Sequence, residues 1–140
     1  MSAIDVVEGL MKAGTTIKDA WTNANQRDPS MDWQKFIASP ELTTAYGQVS
    51  GILSGLTQPA LDGALKEVRT KEAALLNGQS VMALSTDKLA QYDALLDTEN
   101  LLMRKFAANA GKTAEWVSWL VDDALPDLIK VAKVVVPLLL

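Results

Sequence analysis

The sequence predicts an all-α fold: a single-domain bundle of five to seven helices around a long antiparallel helical hairpin, about residues 57–111. Three observations carry this expectation. Apolar residues recur at steps of three and four through each long segment. The junctions between segments hold capping residues, prolines at helix starts and glycines at helix exits. No stretch alternates apolar and polar residues as a half-buried strand would. With 140 residues, 49% of them apolar and 21% charged, the chain has the size and composition of one ordered domain, residues 1–140.

The first helix is announced by Ser2 as N-cap, with Asp5 three residues later in a capping-box position. Ala3, Val7, Leu10, Gly14, Ile17, Trp21 and Ala24 then hold a heptad seam for three repeats. Gly14 lies inside that seam, where a neighbouring helix could approach closely. The helix is expected to stop near Asn25, ahead of Arg27-Asp28-Pro29. Ser30 or Asp32 can cap a short amphipathic helix bearing Met31, Trp33, Phe36 and Ile37. Ser39-Pro40-Glu41 combines a cap, a first-turn proline and a first-turn acid, and so starts a third helix.

Gln58-Pro59 ends the third helix and opens a fourth, with Leu61, Leu65, Val68 and Leu75 on one side. Asn77-Gly78 reads as its exit, glycine tolerating the left-handed backbone that closes a helix. Residues 79–84 fit either a turn of helix or an extended link. Ser85 caps a fifth helix striped by Leu89, Tyr92, Leu96, Met103 and Phe106, with Gly111 as its end. Thr113 caps a sixth, carrying Trp116, Val117, Trp119 and Leu120, and Pro126 starts or kinks the final segment.

Two features look built for association. Gly47, Gly51 and Gly55 are spaced by four and line one edge of the third helix. Each interior glycine costs about 0.5–1 kcal/mol relative to alanine, so the series is expected to permit close contact with another helix. The surrounding stretch 42–61 holds no charged side chain, but its threonines, serines, glutamines and proline argue against a stable transmembrane helix. The second feature is the apolar C-terminal segment 127–140, where ten of the last thirteen residues are Leu, Ile, Val or Ala. A helix apolar nearly all round needs cover from its own core, a partner or lipid.

Chemistry is narrowed by what is missing. The chain has no histidine and no cysteine, which removes His-activated nucleophiles, thiolates and the usual zinc ligand sets. Ser85-Thr86-Asp87-Lys88 matches S-x-x-K, yet the accompanying S-D-N and K-T-G elements are absent and an N-cap explains the serine. Gly111-Lys112-Thr113 echoes the end of a P-loop, but Phe106 stands where that loop needs glycine. Gly47-Gln-Val-Ser50-Gly51 misplaces the serine of a nucleophile elbow by one residue. Asp122, Asp123 and Asp127 are read as acids meeting the positive end of the last helix rather than as a cation site. The net charge of −4 is spread thinly, and Arg104-Lys105 is the only adjacent cationic pair, which disfavours nucleic acid.

The function expected on these grounds is a non-enzymatic helical association module, or a structural subunit of a homo-oligomeric assembly. Its partner would be a second copy or another protein. The expected contacts are Gly14 and Trp21, the edge Gly47, Gly51 and Gly55, the pair Trp116 and Trp119, and the tail residues Leu128, Ile129, Val131, Val135 and Leu139. The alternative is a membrane-active helical protein, pore-forming or lipid-coating, that stores segments 42–61 and 127–140 and meets membrane lipid. No catalytic residue, metal, cofactor, nucleic acid or small-molecule substrate is expected. Asp5 and Glu8 precede the first lysine, Lys12, unlike the cationic start of a secretory signal. Cytoplasmic folding is therefore the default expectation, with leaderless export left open.

Overall fold

The computed structural model describes residues 2–103 and 114–140, the side chains of 114–116 excepted. Within them the chain is helical throughout its regular structure, and no strand occurs among the described residues. In order come α1 (Ala3–Arg27), α2 (Trp33–Ile37), α3 (Pro40–Gly55), α4 (Gln58–Leu76), a 3-10 turn (Val81–Ala83) and α5 (Thr86–Leu102). Then α6 (Ala114–Trp119) continues through a π turn (Leu120–Ala124) into α7 (Leu125–Leu139). Gly111, Thr113 and Phe106, expected to end α5 and cap the next helix, lie outside the described residues, as does the end of the expected 57–111 hairpin.

The helix starts are chemically explicit. Ser2 and Asp5 form the capping box: Asp5 N–H donates to Ser2 Oγ, and Ser2 N–H donates to Asp5 Oδ2, both at 3.2 Å. Asp32, rather than Ser30, caps α2 by accepting from Lys35 N–H at 2.8 Å. Ser39, buried between α2 and α3, accepts from Leu42 N–H while its hydroxyl donates to Phe36 O at 2.7 Å, so burial leaves it satisfied. Thr57 and Ser85 cap α4 and α5 in the same way. α4 closes on two left-handed residues, Asn77 (φ 48°) and Gly78 (φ 77°).

α1 is the central element. Its seam residues Ala3, Val7, Leu10, Gly14, Ile17 and Ala24 are buried, and so is a second row, Val6, Ala13 and Ala20. The two rows give α1 an apolar face wide enough to serve α3, α4 and α7 together. α4 and α5 pack on each other as the expected hairpin, with α1 and α7 against them. α3 packs chiefly on α1, whereas a bundle gathered around the hairpin would seat it on α4 and α5. The reason is local: Gly9 of α1 lets Ile52 approach, so that a Cβ there would stand 3.1 Å from Ile52 Cγ2.

At Pro126 the helix neither ends nor restarts. Proline has no N–H to give the carbonyl four residues back, and just before it the ladder widens, with Leu125 N–H bonding Leu120 O five residues earlier. α7 then runs into the core and buries Leu125, Leu128, Val131, Ala132 and Val135.

Candidate functional site

The residues expected to form contacts divide into three groups. The first is packed inside the chain. Gly14 is buried, and a Cβ on it would stand 3.0 Å from Leu125 Cδ1 and 3.6 Å from Leu120 Cδ1. Leu128, Val131 and Val135 are also buried, in the core that α7 shares with α1 and α5. These three therefore take the core alternative open to segment 127–140, packed within the chain itself. Trp21 is half-buried and stacks on Trp33 of α2, ring centroids 3.7 Å apart and planes within 14°. Phe36 meets both indoles edge-on, at 5.2 and 6.0 Å.

The second group is open. Gly47 and Gly51 are exposed, and no atom lies within 4 Å of a Cβ built on either. Among the described residues Gly47 and Gly51 thus meet no other helix, so the close contact expected at this edge is left to a neighbouring chain; close approach inside the chain belongs to Gly9 and Gly14 of α1. Gly55 and Leu139 are half-buried, and Ile129 is 44% exposed on the outer side of α7. The third group flanks a groove. Trp119, half-buried, lines a shallow depression of about 250 Å³ with Asp97, Asn100, Leu101, Asp123 and Asp127. Trp116 belongs to α6, and its side chain lies outside the described residues.

Depressions that could take a small molecule are open and weakly equipped. One of about 460 Å³ between α1 and α3 is bordered by Thr16, Asp19, Asn23, Glu41, Thr44 and Gln48. Its Glu41 is committed to the Arg27 guanidinium, which binds both carboxylate oxygens and holds Glu41 below the usual carboxylate range. Ser85 spends its hydroxyl on Lys88 N–H as a cap. Among the described residues, no group of three or more acidic, histidine or cysteine side chains is placed to hold a metal ion.

The unusual part of the molecule is the distal half of the α4–α5 hairpin, residues 69–93, hereafter the arm. Between Val68 and Ala94 a single residue is buried, and it is a glutamate, Glu72. Leu75, Leu76, Leu84, Gln91 and Tyr92 are half-buried, and the remainder faces water. The tip exposes Val81 (38%) and Met82 (96%), with Leu89 (37%) one turn into α5. At the root of the arm Arg69 Nε donates to Glu99 Oε1 at 2.6 Å. Glu72 sits beside the same Glu99; burial, then the neighbouring carboxylate, raises its pKa to about 7. Glu99 is driven the other way, chiefly by the Arg69 hydrogen bond. The environment thus favours the negative charge on Glu99, beside the guanidinium, and makes Glu72 the carboxyl that keeps its proton to higher pH.

Sequence reasoning missed Glu72 although a signal was present. It occupies the apolar row Leu61, Leu65, Val68, Leu75, one helical turn after Val68, where a charged residue is out of place. The Trp21–Trp33 stack joins two elements and has no local signature.

No helix among the described residues is long and apolar enough to cross a membrane. No family model, curated protein or solved structure matches the chain.

Proposed function

We propose that the chain is a non-enzymatic association module whose contact surface is the α4–α5 arm. The observation that carries this reading is the burial pattern of residues 69–93, where Glu72 alone is buried. Short helices are marginal in water by themselves, and most helical stability in proteins comes from packing an apolar face. The arm has two turns of each helix beyond the core, a thin leucine seam and an apolar tip. A partner laid along it would supply the missing cover.

Catalysis has weaker support. The one strongly perturbed acid among the described residues, Glu72, is buried, and none of the grooves described above is lined by it. A membrane-active role draws on one specific observation, the exposed Met82 beside Val81 at the tip.

Amide hydrogen exchange in dilute solution tests the reading. Residues 69–93 are expected to exchange roughly a hundredfold faster than the buried turns of α1, because their opening breaks few buried contacts. An arm as protected as α1 in dilute solution would be a finished structure with nothing to gain from a partner, and the reading would fall.

A further inference from the structure

We propose that Asn77-Gly78, at the tip of the arm, is a self-modification site: Gly78 N closes a ring onto the Asn77 side-chain amide, ammonia leaves, and water opens the ring to aspartate or isoaspartate. The inference goes beyond the association reading and does not need it, since the chemistry uses only residues of the tip.

Asparagine is a thermolabile side chain. The nitrogen of the following residue can reach its side-chain carbonyl carbon by closing a five-membered ring. Glycine is the most favourable follower, because no Cβ crowds that nitrogen and the backbone turns freely. Asn-Gly occurs once in the chain, at these two residues. In the first step the Gly78 N–H proton passes to solvent, the nitrogen bonds to Asn77 Cγ, and the Cγ–Nδ2 bond breaks with release of ammonia. In the second, water adds to one of the two ring carbonyls and breaks its bond to nitrogen. Addition at Cγ restores the normal main chain and leaves aspartate; addition at the main-chain carbonyl leaves isoaspartate. One water is consumed and one ammonia released, and either product gains a carboxylate.

The fold leaves this pair accessible. Every residue from Asn77 to Ala83 is exposed, and no atom lies within 4 Å of a Cβ built on Gly78. Asn77 stands in the left-handed region, φ 48° and ψ 44°, and Gly78 follows at φ 77°. That ψ turns Gly78 N away from the Asn77 side chain, so the attack waits for the tip to open. Two hydrogen bonds hold it closed: Asn77 N–H donates to Ala73 O at 3.0 Å, and Gln79 N–H donates to Leu76 O at 2.9 Å. The nearest buried residues along the chain are Glu72 on α4 and Ala94 on α5, so the opening breaks few buried contacts.

Conversion changes the cap from which it starts. A carboxylate at residue 77 meets the negative end of the α4 dipole, and the last turn of α4 has no basic residue to offset it. Isoaspartate also adds a methylene to the main chain ahead of Gly78, which lengthens the turn spanned by the Gln79–Leu76 hydrogen bond. Both products fray the end of α4. The core stays in place, since between Val68 and Ala94 no apolar side chain is buried.

The experiment incubates the full chain at neutral pH and 37 °C and follows the tryptic peptide Glu72–Lys88 by mass spectrometry, with the chain unfolded in guanidinium chloride as reference. Asn77 of the folded chain is expected to convert at least about tenfold faster than Asn23 and Asn100, which are also exposed but precede Ala24 and Leu101 rather than glycine. Unfolding should speed it further, because the tip is then always open. Asn77→Gln should keep the mass of the peptide, since glutamine must close a six-membered ring. Amide exchange on the aged wild-type chain should show protection lost at residues 77 and 79, with the melting temperature unchanged. Folded Asn77 that stays an amide while the unfolded reference converts overturns the proposal, as does conversion no faster than at Asn23 and Asn100. A fall in the melting temperature of the whole chain on conversion overturns its confinement to the arm. None of these results touches the association reading, which falls only on an arm as protected as α1 in dilute solution.

Discussion

Gly14 and Leu125 interlock: a Cβ on the glycine of α1 would stand 3.0 Å from Leu125 Cδ1 and 3.5 Å from Leu125 Cβ. α1 and the C-terminal rod therefore meet where one side chain has been reduced to hydrogen. Substitution of Gly14 by valine is expected to destabilise the fold by about 1–3 kcal/mol through overpacking. A denaturant melt measures it, and an unchanged midpoint would mean that Leu125 moves aside without cost.

Gly51 predicts the opposite sign. It is exposed, in the body of α3, with open space where a side chain would go. Gly51→Ala is expected to stabilise the chain by about 0.5–1 kcal/mol, the ordinary difference in helix propensity. A loss of stability in the same melt would place something against that edge, and a partner would be the first suspect.

The contrast between these glycines shows where the sequence is legible. Caps were readable because they are local: Ser2 with Asp5, Ser39 with Pro40, and Ser85 each act within one turn. The α1 seam was readable because heptad spacing defines a face. Spacing says which residues share an edge; it does not say whether that edge is covered. Gly47 and Gly51 are open and Gly14 is not, although all three sit at helical spacing with apolar neighbours. The tail was recognisable as apolar, but only the arrangement of α7 against α1 and α5 makes it core. Leu89 shows the reverse error: it belongs to the apolar stripe of α5 and is 37% exposed, because the arm has no core to offer it.

Trp21 and Trp33 tie the end of α1 to α2 by a stacked pair with Phe36 edge-on. Aromatic pairs contribute about 0.5–1.5 kcal/mol beyond their buried area. A double-mutant cycle with Trp21→Ala and Trp33→Ala should return a coupling of about that size. Additive effects would show that the two rings act independently.

The C-terminal helix supplies a harsher test. Leu128, Val131 and Val135 are each at most 4% exposed. Burying such a side chain contributes about 1.5–3 kcal/mol, and small domains are stable by only about 5–15 kcal/mol. Truncation after Asp127 is therefore expected to abolish cooperative thermal unfolding, where loss of a mere interface would change mass and leave the melt intact. Leu128→Ala, a milder change, should cost about 2–5 kcal/mol. A truncated chain with a wild-type melting temperature would put α7 outside the core.

Glu72 makes stability depend on pH in a stated direction. Its carboxyl is raised from 4.5 to about 7 in the folded chain, by burial first and by Glu99 next. The folded state thus binds a proton that the unfolded state releases between those values. The stabilisation is complete below about pH 4.5 and is lost as pH rises through 7. Glu99, lowered by Arg69, acts oppositely: its contribution is present above the usual carboxylate range and is lost on further acidification. Stability should consequently peak near pH 5 and fall by on the order of 2 kcal/mol by pH 8. Glu72→Gln keeps the shape, needs no proton and can donate its amide to Glu99. It should raise stability at pH 8 and flatten the profile between pH 5 and 8, leaving the acid limb in place. Urea melts of both chains across that range decide the matter. Parallel profiles would show that the arm's single buried residue is not the group that titrates.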